Sequence, residues 1–399
     1  MRTTWTFHSA AQLLFGRDAA KQLGDIATRL GAKRILIVTD PVLTKMGLAE
    51  RIRQPLAGFA TEMFTEGEPE PSMKAADACI ALARTFKPDA LVGLGGGSNM
   101  DLAKITATVL AHGGSPRDYV GDDKIPGPIV PLICMPTTAG TGSEVSAAAV
   151  LTDTENKIKV GILSNYLRPR VAIVDPLLTV SCPAKVTADS GIDALTHAIE
   201  AYTAVDNADF PLPAGERSVY QGKHPLGDVM AEKAITLIGA NLRRAVQNGN
   251  DLEARDGMAL GATLAGLAFS NVGVALVHAL EYPVGGATHC SHGAGNGLLL
   301  PFVMRFNQPN RIKEFATVAR LLGEDVAGLS DNQAADRAIT AVEKLRSDIG
   351  IPKSLSELGV RPDQLRPFAD KAFGIKRILR VNPRPMKVED LEGILRSAL

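Results

Sequence analysis

Two textures divide the chain. Up to about residue 175, short aliphatic runs alternate with segments whose apolar positions recur every three or four residues. Arg34-Ile-Leu-Ile-Val-Thr-Asp40, Ala90–Leu94 and Pro131–Met135 are β-branched or aliphatic without polar alternation. That is the pattern of parallel strands buried on both faces. A shorter strand is predicted over 60–65, strand-like pieces fill 145–175, and residues 1–15 alternate loosely, which predicts an edge hairpin. Between the strands, helical spacing predicts helices over 19–30, 43–56, 73–86 and 101–110, the third preceded by Pro71 and a candidate cap, Ser72. Past residue 186 the spacing turns helical nearly everywhere: 187–203, 225–246, 251–271, 274–280, 293–305, 309–322 and 333–348. The Pro- and Gly-rich stretch 206–224 reads as a long loop. Alternating strands and helices imply a parallel α/β sheet. The expected organisation is an α/β domain over 1–185 and an all-helical domain over 186–399, in a chain long enough for two cores.

Composition narrows the partners. Lysine plus arginine and aspartate plus glutamate balance at 43 each, and no basic run is present, which argues against nucleic acid or an acidic membrane surface as the main partner. No apolar run approaches membrane-spanning length, and the first residues lack the apolar core of a secretion signal. Cys79, Cys134, Cys182 and Cys290 form no CxxC and no regular framework, so a reduced compartment, the cytoplasm, is expected.

Two glycine-rich turns follow predicted strands. Gly95-Gly96-Gly97-Ser98 precedes a helix, where free backbone N–H groups favour a phosphate and glycines let it approach. It is not the G-x-G-x-x-G fingerprint, and alone a plain tight turn is an equal reading. Thr137-Thr-Ala-Gly-Thr-Gly-Ser143 is the second loop, rich in hydroxyls. Two such loops at the carboxyl ends of parallel strands define a ligand crevice. Asp40 ends the first confident strand; a carboxylate there accepts hydrogen bonds from the ribose of NAD and repels the extra phosphate of NADP, or it simply caps the helix after Pro41.

The helical half carries the strongest chemical signal. Asp193 and His197 stand four residues apart in GIDALTHAIEAY, on one helix face among apolar neighbours. His278 and His292 lie in VHALEYPVGGATHCSHGAGNG. One carboxylate and three imidazoles make a cage for a divalent transition metal, and a buried carboxylate needs such a partner. A metal with an open position polarises a carbonyl or alkoxide oxygen. His289 competes with His292; the glycines after His292 favour close packing there, although spacing alone leaves the choice open. His8, His112 and His224 have no comparable context and are expected on the surface or in loops.

Taken together, GGGSNMDLAK at 95–104, PTTAGTGSEVS at 136–146, DALTHAIEAY at 193–202 and the segment 278–297 resemble the iron-containing (group III) alcohol dehydrogenase family over essentially the whole chain. The resemblance implies a dinucleotide-binding α/β domain and an all-α metal-binding domain, a dehydroquinate synthase-like layout with the active site in the cleft between them. By motif position it implies metal ligands at Asp193, His197, His278 and His292, which decides against His289. It implies NAD contacts at Asp40, Gly95, Gly96, Gly97, Ser98, Asp101, Thr137, Thr138, Thr141 and Lys159. Ferrous iron is the family's expectation, and zinc suits the same ligands.

Two departures stand out. Where many relatives carry a second histidine four residues after the first of the last segment, often cast as a proton relay, this chain has Tyr282; where they have Pro-Asn-Pro, it has Pro69-Glu70-Pro71. The expected function is an NAD(H)-linked alcohol dehydrogenase acting on a small alcohol or its carbonyl partner, with His278 and Tyr282 as candidate catalytic residues and Phe269 as a candidate wall of the substrate site. The loop 206–224 is a candidate lid carrying Arg217, Lys223 and His224. A hydroxyacid–oxoacid transhydrogenase that retains its nucleotide and an inactive metal- or nucleotide-binding regulator are the alternatives. A homodimer or higher oligomer is expected, with Trp5 and Phe7 pairing with another chain's edge strand.

Overall fold

The computed structural model describes residues 2–155 and 158–399. Met1, the first residue of the expected hairpin, lies outside them. The chain forms two compact units. One spans His8–Ser181; the other joins Cys182–Leu399 to the N-terminal residues up to Phe7.

The first unit is a six-stranded parallel sheet with helices. Its strands are β1 (Gln12–Phe15), β2 (Arg34–Val38), β3 (Ala60–Phe64), β4 (Ala90–Gly95), β6 (Leu132–Pro136) and β9 (Val171–Val174), in the spatial order β1-β9-β6-β4-β2-β3. Continuous apolar strands are explained by two cores, one on each face. Leu36 and Val38 of β2 join one with Leu91; Ile35 and Ile37 join the other with Val92 and Leu94. From β2 the chain moves outward to β3 and then returns to the other side of β2 as β4. The carboxyl ends of β2 and β4 therefore flank a topological switch point, the place where open α/β sheets bind ligands. The remaining strands, β5 (Gly121–Asp122), β7 (Ala148–Asp153) and β8 (Ile158–Leu163), form a separate three-stranded sheet in which β7 and β8 run antiparallel. The strand-like texture of 145–175 thus belongs mostly to a second sheet, because β7 and β8 follow each other without a crossover helix.

The expected hairpin over 1–15 is not formed. Only β1 is a strand, and it pairs parallel to β9. The expected helix 43–56 is broken at Gly47, whose φ of +75° suits glycine. It divides into α2 (Pro41–Lys45) and α3 (Leu48–Arg53), after α1 (Leu23–Arg29) and before α4 (Met73–Phe86), which Ser72 caps through Ala75 N–H at 3.1 Å. Helix α5 (Gly97–His112) begins inside the first glycine turn.

The second unit is helical: α6 (Ala184–Tyr202), α7 (Pro225–Gln247), α8 (Leu252–Val272), α9 (Leu276–Thr288), α10 (His292–Asn307), α11 (Ile312–Leu321), α12 (Asp331–Asp348), α13 (Leu365–Phe373), α14 (Lys376–Leu379) and α15 (Val388–Ser397). Helix α9 runs through Pro283, well beyond its expected end at 280. Glycines set the closest contacts. A Cβ on Gly293 would fall 2.0 Å from the Asp189 carbonyl oxygen, and one on Gly297 2.7 Å from Ile192, so α10 lies directly on α6. Among the described residues, no single helix is long and apolar enough to cross a membrane.

Candidate metal centre and dinucleotide loops

Helix α6 is buried along nearly its whole length, and Asp193 and His197 share one of its faces. Among the described residues, Asp193, His197 and His278 form a compact group that brings one donor atom of each within 4.8 Å of the others. His292 approaches the same carboxylate oxygen. Asp193 Oδ1 stands 3.9 Å from His197 Nε2, 3.8 Å from His278 Nε2 and 3.9 Å from His292 Nε2. Ligands about 2.1 Å from one ion stand roughly 3.4 Å apart in a tetrahedron. The spacing about Asp193 Oδ1 is slightly wider, with all three Nε2 atoms gathered around that one oxygen.

The protein fixes which nitrogens face that point. His278 Nδ1 lies 2.6 Å from Glu200 Oε2, and His292 Nδ1 lies 2.5 Å from Glu281 Oε2. A carboxylate accepts, so each Nδ1 carries the proton and each Nε2 presents a lone pair. Glu200 also accepts Ala275 N–H at 2.9 Å and Val277 N–H at 2.7 Å, capping the start of α9 beside His278. The carboxylates are cross-wired: α6 supplies the partner for the histidine of α9, and α9 supplies the partner for the histidine of α10.

Asn296 supplies the test of fit. Its Nδ2 donates to Asp193 Oδ1 at 2.7 Å and faces His278 Nε2 at 3.2 Å and His292 Nε2 at 3.1 Å. Its own Oδ1 is buried without a hydrogen-bond partner. An amide NH2 thus points its positive end at three acceptors that a cation would satisfy better, and the donor set suits iron or zinc. Burial pushes the Asp193 carboxyl up, but positive charge at the site, supplied by His197, His292 and His278 when protonated, together with the Asn296 amide, outweighs it and holds the group below the usual carboxylate range. Phe269 stacks on His197 at 4.2 Å between ring centroids, closing one side with an apolar face. Tyr282 lies 6.2 Å from His292 by ring centroids. His289 is exposed, at the left-handed end of α9.

The sheet unit brings the two glycine loops together. Thr137 N–H donates to Gly95 O at 3.0 Å. A Cβ on Gly97 would meet the Thr141 side chain at 2.9 Å, and one on Gly96 would stand 3.7 Å from Thr138 Oγ1. Gly95, at φ +142°, turns the chain from β4 into α5. Asp40 Oδ1 caps α2 through Leu43 N–H at 2.9 Å, and its Oδ2 accepts from Asn99 Nδ2 at 2.7 Å. Lys159 Nζ pairs with Glu70 Oε1 at 2.6 Å, and Glu70 N–H donates to Ser98 Oγ at 3.1 Å, so the departure at Glu70 links two of the expected cofactor residues. Asp101 is turned into the protein, accepting from Ser143 Oγ at 2.6 Å and Val150 N–H at 2.9 Å.

Several expectations need correction. His224 is no surface residue: it is 2% exposed, caps α7 through Gly227 N–H and stacks on Trp5 at 4.6 Å. The rings of Trp5 and Phe7 both meet His224, and residues 2–10 form no strand within this chain. The loop 206–224 is tied at both ends, Asn207 N–H to Lys223 O at 2.8 Å and Lys223 N–H to Val205 O at 2.7 Å. Lys223 itself pairs with Asp228 at 2.5 Å. Sequence reasoning passed over Glu200, Glu281 and Asn296. A signal existed for the first two, since each stands three residues after a candidate ligand, His197 and His278.

Comparison with known proteins gives the same picture. The model of iron-containing alcohol dehydrogenases matches residues 10–176, and that of the C-terminal part of Fe-containing alcohol dehydrogenases matches 214–399. The chain is 41% identical to long-chain-alcohol dehydrogenase 1 of Geobacillus thermodenitrificans (strain NG80-2), over 98% of this chain and 97% of that one. It is 39% identical to the NAD-dependent methanol dehydrogenase of Bacillus methanolicus, over 97% of each. A crystal structure of 1,3-propanediol oxidoreductase superposes with a TM-score of 0.92 at 36% identity, covering 99% of this chain and 100% of that one.

Proposed function

The chain belongs to the iron-containing alcohol dehydrogenase family and is a metal-dependent alcohol dehydrogenase; from that premise we propose that it is NAD-linked and interconverts a small alcohol with its aldehyde or ketone. The proposed ligands of a ferrous or zinc ion are Asp193, His197, His278 and His292. The observation that carries this reading is the gathering of three imidazole Nε2 atoms within 3.9 Å of one buried carboxylate oxygen, two of the imidazoles held in the ligand tautomer by buried carboxylates. A divalent ion there would act as a Lewis acid toward an alcohol or carbonyl oxygen, and a nicotinamide dinucleotide would exchange the hydride.

The chain's own residues do the rest. Phe269 shields one side of His197 from water and offers an alkyl substrate an apolar wall. Tyr282, whose ring centroid lies 6.2 Å from that of His292, is the proposed relay for the proton of the substrate hydroxyl. The N–H groups that open α5 and the hydroxyls of Thr138 and Thr141 suit the pyrophosphate. Each Asp40 oxygen accepts one protein hydrogen bond and retains a lone pair for a ribose hydroxyl. A 2′-phosphate would be repelled there, hence NAD rather than NADP. The name of the Bacillus methanolicus relative supports the same choice.

The test is metal analysis of protein reconstituted anaerobically with Fe2+ or Zn2+, paired with NADH formation on short primary alcohols, diols and hydroxy acids. About one equivalent of metal per chain with turnover on a panel member is expected. Failure to take up metal would remove the reading of the four ligands.

A further inference from the structure

We propose that Glu281 is a positioning residue of the metal site: a buried carboxylate that aims His292 at the ion, in a seat that Gly285 and Gly295 keep open. This rests on the reading of Asp193, His197, His278 and His292 as ligands. Three observations lead to it. Glu281 is 0% exposed, yet it is an acid on α9, where burial needs a strong compensating contact. That contact is His292 Nδ1 at 2.5 Å. And the space around the carboxylate exists only because two neighbours lack a side chain. A Cβ on Gly285 would fall 2.2 Å from Glu281 Oε1; one on Gly295 would fall 2.8 Å from its Cγ and 3.3 Å from its Oε1. Glycine at 285 stands in the interior of α9, where it weakens a helix relative to alanine, and glycine at 295 does the same in α10. Room for Glu281 is the compensating use.

His292 is the ligand that needs such a partner. Its side chain is 32% exposed, whereas those of His197 and His278 are 6% and 3% exposed. It is also the one outside the compact group. His278 is aimed by Glu200, which two backbone N–H groups hold in turn. Glu281 does for His292 what Glu200 does for His278, in a seat that two glycines leave open. Carboxylate partners of this kind fix the tautomer and raise ligand basicity. They also bring two more buried negative charges to the imidazoles, which favours a divalent ion over an empty cage.

The variants are E281Q, which keeps the shape and can still accept from Nδ1, E281A, which removes the partner, and G295A, which crowds the seat and leaves every polar group in place. Wild type and variants are stripped of metal and titrated with Co2+ and Zn2+ in competition with a chromophoric chelator. The visible Co2+ spectrum and the rate of metal extraction by EDTA are recorded alongside. The expected order of affinity is wild type, then E281Q, then E281A, with losses of roughly 10-fold and up to 100-fold, faster extraction and a shifted Co2+ spectrum. G295A should fall between wild type and E281A, and the metal-free proteins should melt close together. Wild-type affinity and extraction rate in both E281Q and E281A would overturn the proposal and leave the ligand reading intact. Absence of binding by the wild type would overturn the ligand reading itself.

Discussion

Each unit of this protein buries a polar cluster, and the two are built in opposite ways. In the sheet unit, Lys104 is fully buried, and its ammonium donates to Ser143 Oγ at 2.8 Å, Ser146 Oγ at 3.1 Å and the carbonyls of Ser146 and Ala148 at 3.2 and 2.7 Å. Asp101, 3.8 Å from that ammonium, accepts from Ser143 and Val150. Donors meet acceptors and the cluster closes on itself. In the helical unit, Asp193 Oδ1 and the Nε2 atoms of His278 and His292 are acceptors turned toward one donor, the Asn296 amide, and His197 Nε2 stands 3.9 Å from the same carboxylate oxygen. Burial alone therefore does not mark a site. A saturated cluster is structure; acceptors converging on a common point are a place for a cation.

The largest effect should come from opening the second cluster. Asp193→Ala removes the atom to which all three imidazoles are referred. It is expected to abolish tight metal binding and to lower turnover by at least roughly 10³-fold, with far-ultraviolet circular dichroism unchanged. A variant that keeps both metal and turnover would dissolve the contrast, because the helical cluster would then be as structural as the other one.

The complementary change belongs to the sheet unit. Burial pushes Lys104 down and Asp101 up, which the ion pair and the hydrogen bonds oppose. Lys104→Met strands a buried carboxylate and four acceptors, and should cost about 3 kcal/mol or more of stability. Denaturant unfolding of the metal-free protein would measure it. Metal affinity should be unaltered, since the hydrogen bonds of the Lys104 ammonium are all made within the sheet unit. Loss of metal without loss of stability would reverse the roles of the two clusters.

These contrasts bear on what the sequence could reveal. The parallel sheet was legible because aliphatic strands without alternation have few other uses, and the glycine turns were legible because they end such strands. Asp193 and His197 could be read from a single helical period. What bound them to His278 and His292 was order of motifs, not local spacing, and spacing alone left His289 in play. The carboxylates behind the histidines stayed hidden because each acts on the next helix: Glu200 stands near His197 in sequence and holds His278, and Glu281 follows His278 and holds His292. The hairpin over 1–15 failed for a related reason. Trp5 and Phe7 alternate toward one imidazole of the helical unit, and a period of two cannot distinguish that from a strand.

That imidazole, His224, sharpens the comparison at its smallest scale. It is a buried histidine with no converging partners, and it serves structure alone. Its Nδ1 accepts Gly227 N–H at 3.1 Å at the start of α7, so the folded state requires the neutral ring. Burial first, and then the charge of Lys223, lower its pKa from the ordinary 6.5. Below that ordinary value the unfolded chain binds a proton that the folded chain resists, so stability rises with pH. The contribution is complete above pH 6.5 and is lost as pH falls from there through the depressed folded value. His224→Asn keeps a good capping residue and removes the titration. Unfolding free energies at neutral and mildly acidic pH should therefore fall more steeply for wild type than for the variant, by less than about 1.4 kcal/mol per pH unit. Taking the difference between the two proteins cancels the metal-site histidines, which both retain. Parallel pH profiles would mean that the buried ring takes up its proton as readily as it does in the unfolded chain, so that burial here carries no cost for charge and the contrast with the open cluster loses its smallest case.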